Sequence, residues 1–261
     1  MKALAARRHD RRAPVLLLLL ALLVTGGLYA VLAPTSADAA SAPASATDVD
    51  TGQKLFQANC ATCHGAGASG TDSAPSLIGV GAAAVDFQVG TGRMPMQATG
   101  PQAPAKPVQF DDEQIAQLAA YVASLGGGPS IPTADQVDPT QGDAANGMAI
   151  FRTNCAMCHN AVGAGGALSQ GKFAPSLLET SPTHLYEAML TGPQSMPVFN
   201  DANITPEEKR DIIAYIAEQD QPAPGGLDLG SLGPVSEGLW AWVVGMGLLI
   251  GAAVWIGAKS S

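Results

Sequence analysis

The chain has 261 residues, of which 47% are hydrophobic, 5% aromatic and 13% charged, and its formal net charge is −9. An acidic chain of this kind is a poor partner for nucleic acid, whose phosphates require cationic contacts. With few aromatics beside 30 Gly and 19 Pro, the side chains alone promise a thin core.

The chain starts with a basic head, Lys2, Arg7, Arg8, Arg11 and Arg12, followed by an apolar run from Val15 to Ala33. Nineteen apolar residues suffice to span a bilayer, and the basic flank places the N-terminus in the cytoplasm. Ala37-Asp38-Ala39 offers a competing reading, a signal peptide cleaved near residue 39. The run exceeds the usual apolar region of such peptides, which favours a retained anchor. Residues 34–49, rich in Pro, Ala and Ser at their start, read as a tether.

Cys60-Ala-Thr-Cys63-His64 follows, and Cys155-Ala-Met-Cys158-His159 repeats it 95 residues on. C-x-x-C-H is the attachment pattern of c-type haem: two thioether bonds hold the porphyrin and the adjacent histidine binds iron. The two motifs use all four cysteines. Structural disulfides or a zinc site are the plainer readings of paired cysteines. Zinc would need both pairs to converge on one metal, although they sit in separate copies of a repeat. Two covalently bound haem c groups are therefore expected.

The repeat extends beyond the cysteines. Gly52, Leu55, Phe56, Asn59 and Cys60 recur as Gly147, Ile150, Phe151, Asn154 and Cys155. Ala74-Pro75-Ser76-Leu77 recurs as Ala174-Pro175-Ser176-Leu177, Met94-Pro95 as Met196-Pro197, and Ala120-Tyr121-Val122-Ala123 as Ala214-Tyr215-Ile216-Ala217. Each copy ends in a predicted helix. Thr205-Pro206-Glu207-Glu208 is a capping box with Pro at the first helical position, and Asp111 with Gln114 starts the earlier helix similarly. Gly126 is the expected stop. Leu118, Ala119 and Val122 match Ile212, Ile213 and Ile216 as the buried stripe. Phe56 and Phe151 are expected to pack near Tyr121 and Tyr215, where the first and last helices of each copy cross.

Met/His ligation raises the potential of a c-type haem, and this gives the Met-Pro pairs a role. Met94 lies 30 residues after His64, and Met196 lies 37 after His159. Loops of that length can reach the other face of a haem. The expected metal ligands are His64, Met94, His159 and Met196, with Cys60, Cys63, Cys155 and Cys158 as attachment points. Met96 rivals Met94, and either methionine is otherwise ordinary core filler. Arg93 is a candidate partner for a propionate or a solvated cation. His184 reads as a surface or supporting residue before it reads as a ligand.

Residues 127–141 read as a linker between a first domain at 50–126 and a second at 142–220. Residues 221–238 lead to a second apolar run, 239–258, followed by Lys259. That run is also long enough to span a bilayer. The segment outside the membrane holds 7 of the 13 Lys+Arg and 21 of the 22 Asp+Glu residues, a formal −14. Such a surface suits a basic docking patch or a larger complex, or serves solubility alone, and net charge does not decide between them.

The two repeats resemble class I cytochrome c domains, small all-α folds wrapped round one haem. The whole layout, an apolar N-terminal segment, two tandem domains and a C-terminal helix, resembles the dihaem cytochrome c subunits of actinobacterial cytochrome bc complexes. Gly90-Thr91-Gly92-Arg93-Met94-Pro95 and Cys155-Ala156-Met157-Cys158-His159 carry part of that likeness. The resemblance implies two cytochrome c domains with N- and C-terminal transmembrane helices in the plasma membrane, haem domains on the extracytoplasmic side. It implies electron transfer from a Rieske iron–sulfur subunit, beside cytochrome b, to an aa-type cytochrome c oxidase, within a quinol–cytochrome c reductase. No substrate site of its own is expected, since two six-coordinate irons leave no open position. The alternatives are a dihaem carrier of a cbb-type oxidase or a periplasmic dehydrogenase, then a dihaem peroxidase, then a subunit whose haems are chiefly core.

Overall fold

A computed structural model describes residues 19–24, 45–98, 100–220 and 234–259. The chain divides into two units, residues 1–40 and 41–261. In the first, residues 19–24 are helical and expose Leu19, Leu20, Leu23 and Val24. The remainder of the apolar run 15–33 lies outside the described residues, and so do the cleavage site at 37–39 and the stretch 221–233.

The second unit is mostly helical and builds one plan twice. Helices α1 (Ala46–Asn59), α2 (Ala61–His64), α3 (Ala82–Gly90) and α4 (Asp112–Ser124) form the first copy. A short α5 (Ala134–Val137) and a 3-10 turn (Pro139–Gln141) precede the second copy, α6 (Ala144–Asn154), α7 (Ala156–His159), α8 (Pro182–Thr191) and α9 (Pro206–Gln219). The chain then enters α10 (Pro234–Lys259). The second copy adds a two-stranded antiparallel hairpin, β1 (Gly166–Ala167) with β2 (Phe173–Ala174), which the all-α expectation lacks.

The capping signals act as expected. Asp111 and Gln114 exchange side-chain and backbone hydrogen bonds at the start of α4, and Thr205 and Glu208 do the same at α9. Each reciprocal pair satisfies two backbone donors that a helix start leaves orphaned. Helix α4 ends at Ser124 with Leu125 as its right-handed cap. Gly126 follows it, and its missing Cβ serves close packing: that atom would lie 3.0 Å from the backbone nitrogen of Gly79.

In each copy the first helix crosses the last. Phe56 packs on Tyr121 with ring centroids 5.3 Å apart, and Phe151 on Tyr215 at 5.4 Å, both tilted by 50°. Burying each Phe contributes roughly 2–3 kcal/mol, and both are almost wholly buried. The expected stripes are buried as well: Leu118, Ala119 and Val122 in α4, and Ile212, Ile213 and Ile216 in α9. The repeated glycine is the pivot of the crossing. A Cβ on Gly52 would sit 1.9 Å from the carbonyl oxygen of Gln117, and one on Gly147 equally close to that of Asp211. Rigid helix backbone cannot yield at that distance. Gly147→Ala should therefore destabilise the second domain by about 3 kcal/mol, roughly 15 °C in Tm, by thermal unfolding of the haem-loaded protein.

The segment between the copies is packed. Gln136 donates to Tyr186 Oη at 3.2 Å, and Arg210 donates to the carbonyl of Asp135 at 3.3 Å. The two copies also touch directly. Helix α3 of the first packs on α8 of the second, and these are equivalent elements, each lying between the Ala-Pro-Ser-Leu block and the Met-Pro pair.

Among the described residues one helix is long and apolar enough to cross a membrane, Gly238–Ala258, with mean hydropathy 2.0 and exposed side chains. The multi-pass expectation depends on residues 15–33, largely outside the described residues, so one crossing is what the described helices support.

Candidate haem sites

Both C-x-x-C-H motifs fold in the same way. The first helix of the copy stops at Asn59 or Asn154, the first cysteine is its C-cap, and the remaining motif winds one further turn. The amides of Cys63 and His64 donate to Cys60 O at 3.1 and 3.0 Å, and those of Cys158 and His159 to Cys155 O at the same distances. The repeated asparagine locks the joint. Asn59 Nδ2 donates to Leu55 O and Asn154 Nδ2 to Ile150 O, each at 2.9 Å. Two sulfurs and an imidazole thus emerge from one turn, as attachment to a single macrocycle requires.

The Ala-Pro-Ser-Leu block holds the histidines. His64 Nδ1 lies 2.8 Å from the carbonyl oxygen of Pro75, and His159 Nδ1 lies 3.0 Å from that of Pro175. A carbonyl only accepts, so Nδ1 carries the proton and donates. Nε2 is left with a lone pair for a metal, and the ring cannot rotate freely. Leu77 N donates to Ala68 O and Leu177 N to Gly163 O, both at 2.8 Å, which ties each block beside its motif. The sequence marks these blocks as repeated without revealing that their carbonyls orient the ligands. Burial also holds His159 below the usual histidine range, against the opposing effect of Pro175, and so keeps it neutral.

Burial, then the neighbouring cysteine, pushes Cys60 and Cys155 up to about 11. All four cysteines are unpaired. Among the described residues they join no cluster of three or more metal-ligating side chains.

In the second domain the expected residues share one cavity of about 470 Å³. Cys155, Cys158, His159 and Pro175 line it together with Met196, Pro197, Phe199, Ile212 and Ile216. This volume and apolar lining are those of a cofactor site. The first domain contributes Phe87, Arg93 and Gln102 to the same cavity. Gln102 pairs with the backbone of Phe173 through two hydrogen bonds of 2.9 Å, and Arg93 stacks 4.8 Å from the Phe87 ring centre. In the first domain Met94 is half-buried against the cluster that also receives Cys60 and Leu77, whereas Met96 is exposed.

His184 sits at the contact between the copies. Its ring meets Phe87 edge-on at 6.0 Å, and its Nε2 lies 3.7 Å from Asp86. Beside it Glu187 is fully buried. Burial, and then the Asp86 carboxylate, raises Glu187 to about 10. Above pH 4.5 an unfolded chain releases the proton that folded Glu187 keeps, so this group removes stability progressively as pH rises from about 4.5 to about 10. Asp86 on α3, and His184 and Arg93, are the other charged or titratable groups of this contact. In chelator-containing buffer, Glu187→Gln should raise Tm over the parent, with the advantage larger at pH 8 than at pH 5.

Comparison with known proteins agrees with this geometry. The sequence profile of cbb3-type cytochrome c oxidase subunit III matches residues 47–122 and 142–216, one match per copy. Proteins named cytochrome bc1 complex cytochrome c subunit align over nearly the full length. The one from Mycobacterium tuberculosis is 48% identical over 97% of this chain and 93% of its own. The one from Corynebacterium diphtheriae is 44% identical over 99% of both. The chain belongs to the family of cytochrome bc1 complex cytochrome c subunits. A cbb3-type oxidase subunit FixP from Sinorhizobium medicae is 32% identical over 43% of the chain and 39% of its own length, a domain-level likeness. Members of this family are membrane-anchored electron carriers built on cytochrome c domains, and such domains hold haem c. The paired motifs, the oriented imidazoles and the apolar cavity fit that group.

Proposed function

We propose that the chain holds two haem c groups and carries electrons from the Rieske centre of a quinol-oxidising bc complex to an aa-type oxidase. Cys60, Cys63, His64 and Met94 hold one group, and Cys155, Cys158, His159 and Met196 the other. The cavity that gathers the second set carries this reading. The domains span 50–126 and 142–220 and are joined by 127–141. Residues 34–49 and 221–238 tether them to helices that cross the membrane at 15–33 and 239–258, which places the haem domains outside the cytoplasm.

When bound, haem c supplies a one-electron ferric/ferrous couple. The protein residues set its surroundings. The Pro75 and Pro175 carbonyls orient the imidazoles, the thioethers of Met94 and Met196 favour the reduced metal, and Phe151, Ile212 and Ile216 exclude water from the second site. Packing of α3 on α8 keeps the domains adjacent, and anchoring raises the effective concentration of both partners. The acidic exterior suits docking onto basic patches.

The test is isolation in mild detergent through a C-terminal tag. Co-purification of cytochrome b, a Rieske protein and a copper-containing oxidase is expected. Recovery with a dehydrogenase, or alone, would overturn the partner assignment.

A further inference from the structure

The contact between the two domains holds a group of side chains beside the second haem cavity, which His184 borders and Asp86 and Glu187 do not. Asp86 comes from α3 of the first domain, and His184 and Glu187 come from α8 of the second. Each offers one ligand atom, and the three atoms lie within 4.8 Å of one another. His184 and Glu187 are three residues apart, the spacing that puts two side chains on one helix face.

Glu187 is 0% exposed, and neither of its carboxylate oxygens finds a hydrogen-bond donor in the protein. A buried carboxylate that faces a second one, Asp86, is strongly unfavourable unless a cation or a shared proton lies between them. Arg93, the cation that acts on His184, is engaged elsewhere, over the Phe87 ring. Glu187 also occupies the α8 position that corresponds to apolar Phe87 in α3, so the fold does not itself demand a carboxylate there.

We propose that Asp86, His184 and Glu187 form a binding site for a divalent transition-metal ion of the zinc class, which clamps the first domain to the second. Two carboxylates balance the ion's charge, and the imidazole supplies a neutral nitrogen, a donor set such ions accept. Burial holds His184 below the usual histidine range, which favours the neutral ring. Its Nε2 stands 3.7 Å from Asp86. Ligand atoms around tetrahedral zinc are about 3.3 Å apart given bonds of about 2.0 Å, so the His184–Asp86 pair closes by a few tenths of an ångström and the remaining pairs, within 4.8 Å, close by side-chain rotation on binding. A water fills the fourth position. Because the ligands come from both domains, the ion is held only when the domains are docked.

The test uses the full-length, haem-loaded protein in detergent, stripped with a chelator, incubated with zinc chloride and desalted. Metal analysis should give one zinc per two irons, and zinc should raise Tm. Asp86→Asn and His184→Gln, each verified to retain full haem content, should lose most of the retained zinc and the Tm response. Zinc K-edge absorption of the parent protein should show one imidazole in an otherwise oxygen shell, a readout independent of any variant's folding. Absence of retained zinc in the parent, retention unaffected by the substitutions, or a sulfur-containing shell would overturn the proposal. A Glu187→Gln protein that is more stable while the parent takes no zinc would show that the group holds a proton instead.

Discussion

Replacing Cys155 and Cys158 together with alanine should leave one covalent haem per chain and unfold the second domain. The cavity beside these residues has a volume of about 470 Å³. At about 24 cal/mol per Å³ of sealed apolar space, leaving it unfilled would cost at most about 11 kcal/mol, less where water enters from its open side. A domain's whole stability is only about 5–15 kcal/mol. Leu185, Met189, Ile212 and Ile216 belong to the same buried cluster and also line the cavity, so its walls cannot relax without dismantling the core. Haem content per chain, helical circular dichroism and protease sensitivity check this. One haem, a loss of helical signal and cleavage confined to the second copy are expected. A fully folded protein with one haem would show that the macrocycle is dispensable to the core.

Met196→Ala should lower the reduction potential of one haem and leave the other near its original value. Loss of a neutral thioether that favours ferrous iron moves a c-type haem downward. Since axial ligation spans about 0.8 V across haem proteins, a fall of roughly 0.2 V is expected. For a one-electron couple, ~59 mV is a tenfold change in equilibrium, so about three decades of driving force would be lost at that centre. Redox titration resolves the two components. Met94→Ala should displace the other component similarly, and the exposed Met96→Leu neither. A shift in both components after Met196→Ala would mean that the assignment by domain is wrong.

Much of this was legible in the chain because the repeat prints every local rule twice. The capping boxes, the buried stripes of α4 and α9 and the Phe–Tyr crossings all follow from short-range chemistry. Helix α3 was not legible. Ala83, Val85, Phe87 and Val89 are all buried, an alternation that does not match a helix with one wet face, because α3 is packed against α4 and against α8 of the other copy. The hairpin at 166–174 is likewise held by its neighbourhood, through Gln102 on Phe173, more than by strand-forming residues. The same holds at the sites. The cysteines and histidines announce themselves by spacing, while the carbonyls of Pro75 and Pro175 act through the backbone, which spacing does not encode. The cluster of Asp86, His184 and Glu187 is formed by residues about a hundred positions apart and becomes apparent only when the copies meet.

That meeting is between equivalent helices, the arrangement of a two-fold dimer whose subunits have been joined end to end. In a true homodimer each substitution is imposed on both sides of the axis at once, and a buried charge would face its own duplicate. Fusion removes that constraint. Position 87 holds a phenylalanine and its counterpart 187 a glutamate, a pairing forbidden to identical subunits. Each half of the joined pair is thereby free to differ where identical subunits cannot.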